Sequence, residues 1–263
     1  MKTLILALCA ASQVAAAQSL ESRIAAAKGS RIGFDFTTRR NVCGNGMNIR
    51  ISNDSSSGWT TRTVRSGMII GRTVSGDQSI CEEGPGHVLL TRTDGRVTGV
   101  VVSVGGRPER PDTQLGAIGA PEAARYLLSI APSLEGWSGD NAITGAAIAD
   151  STNNWRRMLE IARDNNASEP ARKTSLFWVS QEATVVATAG LSDVANDDRA
   201  NMAVRKDALF FLSQRPGGGG VPALIKVVRE SKSAALRKEA IWHLSQSRDP
   251  RAMDLFEQLL AGR

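Results

Sequence analysis

The sequence predicts an α+β chain of more than one part: a small β-sandwich or barrel-like domain first, then an α-solenoid. Three observations predict it. The phrases Arg172-Lys173, Arg205-Lys206 and Arg237-Lys238 each open a similar eleven-residue stretch, and their arginines lie 33 and 32 residues apart. A recurrence of that length marks stacked helical repeats. Upstream, residues 31–37 and 48–51 alternate apolar and polar side chains with period two, the strand signature, and 87–104 reads as two β-rich runs joined at Asp94-Gly95. Glycine and proline cluster between the two kinds of pattern, at 105–112.

The chain opens with Met1-Lys2, an apolar run from Leu4 to Ala11 and the small residues Ala15-Ala16-Ala17. A charged start, a short apolar centre and a small-residue exit read as a secretory signal peptide over 1–17. The run is far shorter than the about 20 residues that span a bilayer, so no transmembrane segment is expected. Leu8 before Cys9 makes a poor lipobox, and a lipid anchor is rejected. The expected location is periplasmic or secreted. Loss of Lys2 with the leader changes the formal charge from +6 to +5. Charges of both signs are mixed along the chain, without basic tracts, so nucleic acid is not expected as a partner; an acidic protein face or another anionic surface fits better.

Residues 18–107 are expected as the β domain. After a short helical lead from Leu20 to Lys28 come Arg31-Ile32-Gly33-Phe34-Asp35-Phe36-Thr37 and Asn48-Ile49-Arg50-Ile51. Thr93-Asp94-Gly95-Arg96 separates two β-rich runs, and Asp-Gly there is a strong hairpin signal because both central positions of the favoured turn take positive φ. Cys43 and Cys81 remain after the leader; an even pair in an exported chain reads as a disulfide, worth roughly 3–4 kcal/mol for such a span. The histidines, His87 and His243, lack ligand spacing with either cysteine, so no metal or other cofactor is expected. Residues 108–118 read as a linker.

Residues 119–263 read as helix pairs. Pro121 opens the first helix. Residues 155–164 and 221–230 share one apolar spacing and precede an Arg-Lys phrase by a short turn; 184–194 does the same for the middle copy, and 249–260 is a first helix without its mate. Val204-Arg205-Lys206-Asp207-Ala208 and Leu236-Arg237-Lys238-Glu239-Ala240, each followed by spaced apolar residues, resemble the second helix of HEAT repeats; Ala171-Arg172-Lys173-Thr174-Ser175 departs by placing serine in the small-residue slot. The resemblance covers about 150–263 and, more loosely, 120–150. It implies a superhelix of helix pairs, a role in protein–protein contact, and arginines laddered to acids of neighbouring repeats.

Nucleotide-binding and nucleophile-elbow motifs are absent, and Asp35 and Glu82-Glu83 are the only carboxylates in suggestive places. The expectation is therefore a non-catalytic exported adaptor. Its contact residues are expected to be Lys173, Lys206, Lys238, Arg172, Arg205 and Arg237, with Trp178, Phe211 and His243 as an aromatic column partly exposed on a groove wall. The paired serines and glutamines at 180–181, 213–214 and 245–246 are expected to hydrogen-bond at helix C-termini. The competing reading is an envelope enzyme or inhibitor acting through the β domain, and a third is an anionic-glycan binder.

Overall fold

The computed structural model describes residues 18–46, 48–52, 59–63, 67–69, 81–182 and 185–262. The expected leader lies outside them. The chain is α+β, with strands toward the N-terminus and helices toward the C-terminus.

A short helix α1 (Leu20–Ala26), capped by the Ser19 side chain, buries Leu20 and Ile24. The first sheet has four strands: β1 (Arg31–Phe36), β7 (Gly86–Thr93), β8 (Arg96–Val104) and β9 (Thr113–Ile118). Their order is β8-β7-β1-β9, antiparallel except for the parallel pair β1 and β9. The hairpin between β7 and β8 turns at Asp94 and Gly95, whose φ values of 51° and 77° are what the Asp-Gly signal requires. The second sheet contains β2 (Val42–Gly44), β3 (Asn48–Ser52), β4 (Trp59–Thr63), β5 (Gly67–Ile69) and β6 (Glu82–Glu83), in the order β5-β4-β3-β2-β6. The Cys43–Cys81 disulfide ties β2 to the residue entering β6.

Period two divides the first sheet into unlike faces. Ile32, Phe34, Phe36, Val88, Leu90, Val100, Val102 and Val104 are buried on one. Helix α3 (Trp137–Ile148) covers that face along β8, and helix α2 (Ala120–Ile130) packs beside it. Every residue from Gly139 to Ile148 is buried, because α3 has the sheet on one side and the next helices on the other. A helix enclosed on all sides has no polar stripe to display. Gly145 is required by this closeness: a Cβ there would lie 2.8 Å from Leu127 and 3.0 Å from Val102. The β and helical parts thus share one continuous apolar core.

The segment expected as a linker is not one. Thr113–Ile118 is an edge strand, and Gly105–Asp112 is a strap crossing the outer face of the sheet from β8 at one edge to β9 at the other. Strand spacing and rise put its ends about 20 Å apart, against a reach of about 30 Å for the extended segment. The difference lets it rise over β7 and β1. Both ends are pinned. Gly106 donates its backbone N–H to the Glu82 carboxylate at 2.9 Å, while the Asp112 carboxylate accepts from the N–H groups of Ser30 and Arg31 at 2.8 and 2.9 Å. Those backbone donors hold the Asp112 carboxyl below the ordinary carboxylate range.

The remaining helices are α4 (Trp155–Arg163), α5 (Glu169–Gln181), α6 (Val185–Asn196), α7 (Met202–Ser213), α8 (Val221–Glu230), α9 (Ala234–Ser245) and α10 (Pro250–Leu260). α4 pairs with α5, α6 with α7 and α8 with α9. Second members contact one another in series, α3-α5-α7-α9, and first members do likewise, α4-α6-α8-α10. The second members begin at side-chain caps: Ser168 for α5, Asn201 for α7 and Ser233 for α9. None of the described helices is long and apolar enough to cross a membrane.

Candidate functional site

The Arg-Lys phrases fall on α5, α7 and α9, one residue after another in equivalent places. Each arginine folds back onto the turn inside its own pair. Arg172 donates to the carbonyls of Asn165 and Ala167. Arg205 donates to the Ala195 carbonyl at 3.0 Å and pairs with Asp198 at 2.9 Å; Arg237 donates to the Ser231 carbonyl at 2.7 Å. Carbonyls at a helix C-terminus, as at Ala195 and Ser231, and in the turn beyond it, as at Asn165 and Ala167, lack intrahelical donors, and the guanidinium supplies them. The ladder between neighbouring pairs is made by the lysines instead. Lys173 lies 4.0 Å from Asp207, and Lys206 lies 3.2 Å from Glu239. Burial pushes the Asp207 carboxyl up, opposed by Lys173. Lys238, on the last second-member helix, is exposed and has no ion pair among the described residues.

The aromatic column departs from expectation. Trp178, Phe211 and His243 are only 4%, 1% and 6% exposed, so they are packing residues and line no groove wall. They pack back against the preceding second-member helix: Trp178 on Thr144 of α3, Phe211 on Phe177 of α5 and His243 on Phe210 of α7. Phe177, Phe211, Phe210 and His243 form a chain of tilted ring contacts with centroid separations of 5.1–6.1 Å, and Trp178 donates its indole N–H to Thr144. Exposure grows along the neighbouring column instead: Phe177 is buried, Phe210 half-buried and Trp242 57% exposed. Ser180, Ser213 and Ser245 each donate to the carbonyl three residues back, at 2.6–2.7 Å, and the following glutamine donates to each serine.

A second constellation sits under the strap. Asp35 on β1 faces His87 on β7, and His87 faces Ser103 on β8. The three side chains therefore stand in one rung on the outer face. The Asp35 carboxylate accepts on both oxygens, from His87 Nδ1 at 2.7 Å and from Gln114 Nε2 at 3.0 Å. An ionised carboxylate only accepts, so Nδ1 carries the proton and Nε2 is left for other partners. The rung forms the floor of a cleft of about 420 Å³, walled by Leu89 and Val101 and roofed by Arg107–Pro111. Asp35 alone stood out in the sequence. Its partner is 52 residues away and carries no local signal; only strand register brings the two together.

Comparison with family models, curated proteins and solved structures returned no match.

Proposed function

We propose that residues 119–263 are HEAT-like repeats of an α-solenoid, that the chain is exported to the periplasm or beyond after loss of residues 1–17, and that it acts as an adaptor docking a protein partner. The two series of helix contacts support the solenoid, and the disulfide and the leader pattern support export. The observation that carries docking is the state of the last rung. In the earlier rungs the lysine is bound to the following helix's acid. In the last, Lys238 and Trp242 stand exposed on α9, because α10 packs on α8 and covers neither. An exposed tryptophan beside an uncommitted cation suits an apolar partner surface flanked by carboxylates.

The test is affinity capture from envelope extract with three baits: the natural chain, a W242A/K238E variant and a K173E/K206E variant. Capture is expected to fall at least tenfold for the first variant and less for the second. Equal recovery by the natural chain and W242A/K238E overturns the assignment of α9.

A further inference from the structure

We propose that the roofed cleft on the outer face of the first sheet binds a small organic carboxylate with an apolar body. The proposal is independent of the docking surface on α9. It starts from the positioning of His87. With Nδ1 held by Asp35, and Asp35 held in turn by Gln114, the ring is oriented by two successive hydrogen bonds. Ser103 is its neighbour in the rung, 8% exposed, and its hydroxyl has no hydrogen-bond partner among the described residues. The strap adds Arg107 and Arg110. Glu109 between them is paired with Arg31 at 2.7 Å, whereas neither arginine has an ion pair among the described residues.

The groups left over for a ligand are thus Nε2, one hydroxyl and two guanidinium groups. A carboxylate answers all of them as an acceptor. Placed against Nε2 and the Ser103 hydroxyl, it puts the imidazole between two carboxylates, its own and Asp35. Opposite charge on both sides favours the imidazolium, so binding draws a proton onto His87. Leu89, Val101 and the strap prolines Pro108 and Pro111 give the remainder of the ligand an apolar enclosure. The volume is in the range of small-molecule sites, roughly 300–1,000 Å³.

The experiment is isothermal titration of the full, oxidised chain with phenylacetate and with hexanoate, each in two buffers of different ionisation enthalpy. Benzyl alcohol, which lacks the carboxylate, is the control. Saturable binding of at least one acid with net proton uptake, and at least tenfold weaker binding of the alcohol, is expected. His87→Phe should weaken the acid at least tenfold and abolish proton uptake. Arg107→Gln with Arg110→Gln should weaken it about fivefold and leave proton uptake intact. Circular dichroism establishes that the variants are folded, and Asp35→Asn, nearly isosteric, repeats the loss of proton uptake should His87→Phe unfold. Absence of saturable binding by both acids overturns the site. So does binding that survives in H87F, or that proceeds without proton uptake.

Discussion

His243 occupies the slot that Trp178 and Phe211 fill in the earlier pairs, and its ring is as enclosed as theirs. Its Nε2 is buried without a hydrogen-bond partner; the nearest acid oxygen, on Glu239, is 3.8 Å away. Burial lowers its pKa below the ordinary 6.5, and Glu239 only partly opposes that. The sign of the pH effect follows. Above 6.5 the ring is neutral in both folded and unfolded chains. As pH falls through 6.5 the unfolded chain takes up the proton first, so acid lowers stability until the folded pKa is passed. His243→Phe removes that difference and an unsatisfied buried nitrogen, which costs about 1–3 kcal/mol. The variant is expected to be more stable at neutral pH, with a smaller fall in Tm from about pH 7 to pH 5, the range where histidine titrates. Parallel Tm–pH curves for the two proteins would sink this account.

At the scale of elements, the strap and the second sheet are coupled through β6. The disulfide holds Cys81 to β2, β6 follows at once, and Glu82 in β6 accepts the Gly106 N–H at the strap's leading end. Cys43→Ser with Cys81→Ser releases a loop whose closure is worth roughly 3–4 kcal/mol, and it also loosens that anchor. Hydrogen exchange is expected to speed up at Gly106 as well as at Glu82 and Glu83, while the Asp112 end stays protected. Unchanged exchange at Gly106 would show that the strap is held without β6. The elements differ in how far the sequence betrays them. Helices α4, α8 and α10 expose one face, so their apolar spacing reads directly. The Arg-Lys phrases reveal α5, α7 and α9 because turn, cap and arginine recur together. The strap reads as a linker because irregular backbone has the same composition whether it joins domains or crosses a sheet. What decides between the two is that Thr113 pairs beside Ile32, a contact set by tertiary packing. The lysine ladder was hidden for a related reason: the phrase places arginine and lysine in adjacent positions, and only the inter-pair geometry says which one reaches the next acid.

At the scale of the whole molecule, α3 decides how the chain comes apart. Its buried residues meet the first sheet at Val102 and α2 at Leu127, both beside Gly145, and touch α5 through Thr174 hydrogen-bonded to Asp140 and Trp178 to Thr144. Removing everything after Asp112 therefore removes an edge strand and the cover of the sheet's apolar face. Fully burying one Leu- or Phe-sized side chain is worth about 1.5–3 kcal/mol, and Ile32, Phe34, Leu90 and Val102 all depend on that cover. Together these four losses come to about 6–12 kcal/mol, as large as the whole margin of about 5–15 kcal/mol by which a domain is stable. Residues 18–112 alone are expected to give an unfolded circular dichroism spectrum without a thermal transition. In the full chain, probes on the first sheet and on α5 should melt together. Gly145→Val, which forces a side chain between Leu127 and Val102, should lower both midpoints equally, by overpacking worth about 1–3 kcal/mol. A folded fragment, or a variant in which the sheet melts while α5 keeps its natural midpoint, would mean that the two parts are separate units after all. Their shared core would then be mere contact. One cooperative transition instead makes the helical stack a built-in cover of the sheet, so that α9 and the cleft beneath the strap belong to one folding unit.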